Sequence, residues 1–114
     1  MVQKCIESVK ACELEKDMVE IIDLRTLNPL DHKTISSSVQ KTGKVLVVHE
    51  DNLTNGPGAE IAALIAENNF EYLDGPVKRG GSADAHVPYN WHLEEKVSVQ
   101  NSDIQNALIE LLEY

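Results

Sequence analysis

Apolar residues near the start of the chain fall at Val2, Cys5, Ile6, Val9 and Cys12. Steps of three and four predict an amphipathic helix over residues 1–17 that packs along one side. Residues 18–24 (MVEIIDL) are few, β-branched and bounded by charge and by Asn28-Pro29, which predicts a strand buried on both faces. Pro29-Leu30-Asp31 opens a second helix: Asp31 caps it, Ile35 and Val39 face inward, and Gly43 closes it. Residues 44–50 (KVLVVHE) form the clearest predicted strand, an aliphatic run too short for a helix. The turn residues 51–58 (DNLTNGPG) follow. From Ala59 the helical pattern returns with Ile61, Ala62, Ile65 and Ala66. Residues 72–78 read as a strand broken at Gly75-Pro76, and residues 79–90 as a loop. Ser102 caps a last helix carrying Ile104, Ala107, Leu108 and Leu111.

Helices alternating with short aliphatic strands predict a three-layer α/β/α domain around a mostly parallel sheet. One feature departs from that rhythm. The chain opens in a helix with no strand before it, and only three strands are visible. The length, 114 residues, is one domain (residues 1–114), and 42 % apolar content is that of a globular chain.

Composition then narrows the partners. Nineteen acidic residues against ten basic ones give a formal charge of −9, which argues against nucleic acid and for a basic protein partner. No apolar run reaches the ~18–20 residues a membrane helix needs. Residues 1–10 show no signal-peptide pattern, and the chain is read as cytoplasmic. Cys5 and Cys12 lie two helical turns apart, about 10 Å between Cα atoms on a helix, too far for a disulfide; they read as small buried thiols in a reducing compartment.

Ligands in open α/β sheets collect beyond the carboxyl ends of the strands. That edge would present residues 23–26, His49-Glu50-Asp51 and residues 79–85. His49 beside Glu50 suggests an acid/base pair, although neighbours on a strand point to opposite faces. Asn55-Gly56-Pro57-Gly58 leads into a helix whose free amides could hold an anion, yet it carries no Lys and Glu60 would repel phosphate. Asp84, His86 and His92 are conceivable metal ligands without a defined third donor geometry. Taken alone, these residues describe no active site.

The run Val19-Glu20-Ile21-Ile22-Asp23-Leu24-Arg25-Thr26-Leu27-Asn28-Pro29-Leu30-Asp31 resembles the transketolase C-terminal domain of 2-oxo-acid dehydrogenase beta subunits. The likeness continues through Lys41-Thr42-Gly43, Val47-Val48-His49-Glu50, Gly58-Ala59-Glu60-Ile61-Ala62, Pro76-Val77-Lys78-Arg79 and Pro88-Tyr89. The resemblance implies a five-stranded three-layer domain of which the first two strands, one of them central, are lacking, so that a lone monomer should be fragile. His49-Glu50 with Leu53-Thr54 leans toward the branched-chain enzyme over pyruvate or acetoin dehydrogenase. The resemblance further implies a parent enzyme that decarboxylates a 2-oxo acid with thiamine diphosphate and magnesium and passes the acyl group to lipoyl within a multienzyme complex. No catalytic, cofactor-binding or metal-binding residue is assigned to this domain. Its implied partners are the alpha subunit, a second beta subunit (a homo-oligomeric contact) and the acyltransferase's basic subunit-binding domain, which suits the acidic Glu110 and Glu113. Arg25, Asp31, His49, Glu50, Gly56, Gly58 and Glu60 are expected to shape the fold edge and interfaces. The competing expectation is a small anion- or nucleotide-sensing module that uses the strand-end crevice.

Overall fold

A computed structural model describes residues 1–14 and 18–114. Helix α1 (Val2–Ala11) ends at Cys12, so the predicted helix is shorter than residues 1–17, of which 15–17 lie outside the described residues. Its inner face meets α5 (Asn101–Glu113). Ser8 is fully buried there because its hydroxyl donates to the Asn101 carbonyl at 3.2 Å. Lys4 Nζ similarly donates to the Val99 carbonyl at 2.6 Å, and its aliphatic stem is half-buried.

Helix α2 (His32–Thr42) begins and ends on the residues the sequence marks. The Asp31 carboxylate accepts from Thr34 N–H at 3.0 Å and from the Thr34 hydroxyl at 2.6 Å, satisfying an orphan amide of the first turn. Those two bonds, the hydroxyl first, hold the Asp31 carboxyl below the usual aspartate range. Gly43 ends the helix at φ +68°, and a side chain there would also strike Asp74.

Two parallel strands make the sheet among the described residues: β1 (Leu46–Asn52) and β2 (Lys78–Ser82), joined by α3 (Pro57–Asn69) and a 3₁₀ turn (Phe70–Tyr72). Leu46 pairs with Lys78, Val47 with Arg79 and Val48 with Gly80, and the register shifts before Asn52 meets Ser82. Helix α3 rests on both strands and beside α2. The core between them holds Ile35, Val39, Val47, Ile61 and Ile65, with Leu24, Leu30, Val45, Leu73 and Val77 at its margin. Each buried aliphatic side chain supplies about 1.5–3 kcal/mol of transfer free energy. Helix α5 also touches both strands but buries a separate set, Ile104 and Leu111, with Val99 just before it. Helix, sheet and helix therefore form the three layers expected.

Five sequence expectations are corrected. Residues 18–24 enter no ladder, and Met18 and Ile21 are 51 % and 40 % exposed rather than buried on both faces. A strand exists only by pairing; this segment instead lies along α2, where Glu20 accepts from Ser38 Oγ at 2.7 Å and pairs with Lys41. Strand β1 starts at Leu46 and runs to Asn52, into the predicted loop. The third predicted strand lies instead at Lys78–Ser82, where a loop was expected after Lys78, and residues 73–77 are irregular with a bend at Asp74-Gly75. Helix α4 (Trp91–Val97) is an element the pattern did not indicate; the Asn90 side chain caps it by accepting from His92 N–H at 3.0 Å. The last helix starts at Asn101, with Gln100 as its cap in a reciprocal pair with Asp103.

Candidate functional site

The carboxyl ends of β1 and β2 carry a set of polar contacts between loops. Ser82 Oγ donates to the Glu50 carbonyl at 2.6 Å, and Leu53 N–H donates to the Ser82 carbonyl at 2.9 Å. Arg79 Nη1 donates to the Leu53 carbonyl at 2.9 Å. The Asp84 carboxylate accepts from Thr54 twice, from the backbone N–H at 3.0 Å and from the hydroxyl at 2.6 Å. The hydroxyl bond first, then the amide bond, holds the Asp84 carboxyl below the ordinary aspartate range. These bonds fasten the turn after β1 to the loop after β2.

Beneath the turn sits the His49 ring. Three glycines surround it: a Cβ on Gly56 would lie 2.7 Å from Cε1, one on Gly81 2.9 Å from Cε1, and one on Gly58 would overlap Cδ2. Glycine is required here by close approach, since any side chain would enter the imidazole. Asn55, just before Gly56, takes φ +60°, a conformation that Asn tolerates better than most residues. Both ring nitrogens are buried, and neither has a hydrogen-bond partner among the described residues. The imidazole thus acts as a packing wedge between turn, helix and strand. No carboxylate among the described residues orients it, and the Glu50 side chain faces the Met1 amino group at 3.6 Å.

His49, Gly56 and Gly58 are therefore brought together, and Gly81, Thr54, Asp84 and Arg79 join them. The doubled glycine Gly80-Gly81 was the available signal for the missed member, because glycine inside a strand marks close backbone approach. The other expected residues lie at separate places. Arg25, at φ +60°, pairs with Asp23 at 2.8 Å in the turn before α2, and Asp31 caps that helix. Glu60 is exposed in the first turn of α3, where its charge opposes a bound anion.

His86 is exposed, the His92 ring stacks on Trp91 with centroids 3.5 Å apart, and Asp84 is engaged by Thr54. Among the described residues no three His, Cys, Asp or Glu side chains converge as a cation would require. Cys5 and Cys12 are free thiols, half-buried rather than fully so, and burial pushes the Cys5 thiol upward. No helix among the described residues is long and apolar enough to cross a membrane.

Fold and strand-end geometry define a class: a three-layer α/β domain whose strand ends are stitched shut by loop contacts. More particularly, residues 1–104 match the family model "Transketolase, C-terminal domain", and the chain belongs to that family. It is 41 % identical over 107 residues to the mitochondrial pyruvate dehydrogenase E1 component subunit beta of Dictyostelium discoideum, spanning 94 % of this chain and 30 % of that protein. It is 38 % identical to the mitochondrial subunit beta-1 of Oryza sativa subsp. japonica over 94 % of this chain and 29 % of the relative. Identity to the subunit beta of Chaetosphaeridium globosum is 47 % over 81 % of this chain and 28 % of the relative. The chain thus spans less than a third of the length of these curated relatives.

Proposed function

We propose that this chain serves as the C-terminal assembly and docking domain of a pyruvate dehydrogenase-type E1 component. The observation that carries the reading is the family match over residues 1–104 combined with relatives named as E1 beta subunits. The strand ends support it: the groups that could act in catalysis are used in internal contacts, Asp84 with Thr54, Arg79 with Leu53, and His49 wedged among glycines. The relatives' names favour pyruvate over the branched-chain acid toward which His49-Glu50 leaned. Oxidative decarboxylation and acyl transfer to lipoyl then belong to the parent assembly. In this reading its thiamine diphosphate and magnesium would be held by other polypeptide of the parent assembly.

The partners follow from that reading: an alpha subunit, a second beta subunit, and the basic subunit-binding domain of the acyltransferase. The charge of −9 suits the last of these by sign. At the acidic end, Glu110 is already paired with Lys78, so the exposed Glu113 is the freer group. The two free thiols suit a reducing compartment, whether the cytoplasm or an organelle interior such as the relatives' names indicate. The test is a chimera: this chain replaces the matching C-terminal segment of the Dictyostelium beta subunit, which is co-expressed with its alpha subunit. Recovery of an alpha–beta complex that binds thiamine diphosphate supports the proposal. A chimera that folds, by circular dichroism and melting, yet never captures alpha subunit refutes it.

A further inference from the structure

Residues 83–96 stand apart from the packed body, and among them only Pro88 is not exposed. Helix α4 (Trp91–Val97) belongs to this stretch. It buries no residue and makes no extended contact with another helix or strand among the described residues. A helix of seven residues does not hold itself in water, where isolated helices shorter than about 12–15 residues are marginal. The arm is nonetheless fastened at its base. Ala83 N–H donates to the Val97 carbonyl at 2.9 Å, Thr54 clasps Asp84, and Gln100 Nε2 donates to the Glu95 carbonyl at 2.5 Å. Along it Val87 is 74 % exposed, Tyr89 entirely so, Trp91 64 % and Leu93 50 %. Single apolar residues on a surface need no explanation, but four large ones within residues 87–93 mark a contact surface.

We propose that this arm docks a partner protein that presents arginine side chains to it. Charge and ring chemistry select that partner. Asp84, Glu94 and Glu95 against Lys96 make the arm acidic, as the whole chain is at −9. The His92 ring stacks on Trp91 with centroids 3.5 Å apart, which orients the indole while most of it stays open. A guanidinium stacks on an aromatic face and forks onto a carboxylate, a combination that a lysine ammonium does not reproduce. Tyr, Trp and Arg also dominate interface energies and pair with one another across them. A second copy of this chain fits poorly. It brings another −9, and its two arginines are engaged, Arg25 by Asp23 and Arg79 by the Leu53 carbonyl. Anionic lipid and nucleic acid are opposed by the same charge. The inference needs only this charge and exposure and does not rest on the E1 reading.

Trp91 is the chain's one tryptophan, so its fluorescence reports on the arm directly. The full chain is titrated with three amidated hexapeptides in which leucine alternates with arginine, with lysine or with glutamate. The arginine peptide should saturate and shift the Trp91 emission. The lysine peptide should bind about two- to fivefold more weakly, and the glutamate peptide not at all. By calorimetry, Tyr89→Ala and Trp91→Ala should each weaken the arginine peptide about tenfold. Phe70→Ala removes an exposed aromatic outside the arm and should leave the affinity unchanged. All three positions are exposed, so the variants should melt with the parent chain. An unmoved Trp91 emission, equal affinities for the arginine and lysine peptides, or a loss in Phe70→Ala as large as that in Tyr89→Ala would each overturn the proposal. So would an emission that shifts with chain concentration alone, the mark of a second copy, or with phosphatidylcholine vesicles, the mark of a lipid surface.

Discussion

Gly58→Ala sets two effects of known sign against each other. Alanine in place of glycine within a helix stabilises by up to about 1 kcal/mol, and less at the second position of α3, where Gly58 sits. Against this, the new methyl would overlap Cδ2 of His49. The ring has little room to retreat, because backbone at Gly56 and Gly81 closes on its Cε1 side. Overpacking a rigid site costs about 1–3 kcal/mol, so the clash wins and the net loss is about 1–2 kcal/mol. A double-mutant cycle isolates the cause. In a His49→Ala background the clash is gone, and Gly58→Ala should be neutral or stabilising by a few tenths of a kcal/mol up to about 1 kcal/mol. The coupling, about 2 kcal/mol, is read from urea denaturation of the four proteins at a common m-value. Equal destabilisation by Gly58→Ala in both backgrounds would refute the wedge.

Three further outcomes follow from the same contacts. Ile65→Ala, at a site 3 % exposed, should lower unfolding free energy by about 2–5 kcal/mol in urea, a large share of the stability of a domain this small. Asn55→Val places a β-branched residue at φ +60° and should cost about 1–2 kcal/mol, measurable as a lowered midpoint with unchanged m. The Thr54–Asp84 clasp carries a pH signature. Its folded-state carboxyl titrates below the unfolded one, so its stabilisation is fully present above the ordinary aspartate value near 4 and is lost as pH falls through the depressed one. The Thr54 amide shift should therefore stay flat from pH 7 to about 4.5 and move only in more acid solution, and Asp84→Asn should abolish that movement.

Legibility in the sequence followed the range of the interactions. Asp31 and Gly43 were readable as helix ends because a cap bonds within three residues and a left-handed stop needs only its own dihedral. Ile35, Val39, Ile61 and Ile65 were readable because periodicity places them on inward faces. The segment 18–24 misled because β-branched composition reports the capacity to pair, and pairing depends on what lies alongside. Strand β2 misled in the opposite sense. Gly80 and Gly81 have poor strand propensity, but Gly81 is what lets β2 approach His49 and the turn at Leu53. Helix α4 was hidden because Trp91 and Leu93 face solvent, leaving no apolar stripe; Asn90 as a cap was its sole local mark. At the strand ends His49, Gly56 and Gly58 were singled out individually, but their convergence on one ring joins positions from strand, turn and helix that no local pattern links.

Calorimetry with two injectants puts the assembly-and-docking reading to its most direct trial. The chain is titrated with the acyltransferase's isolated subunit-binding domain at low and at high salt, then with thiamine diphosphate plus magnesium. The account predicts saturable binding of the basic domain that weakens as salt rises, and no heat of binding from the cofactor. Tight, magnesium-dependent uptake of thiamine diphosphate by this chain alone, with no affinity for the basic domain, would contradict it.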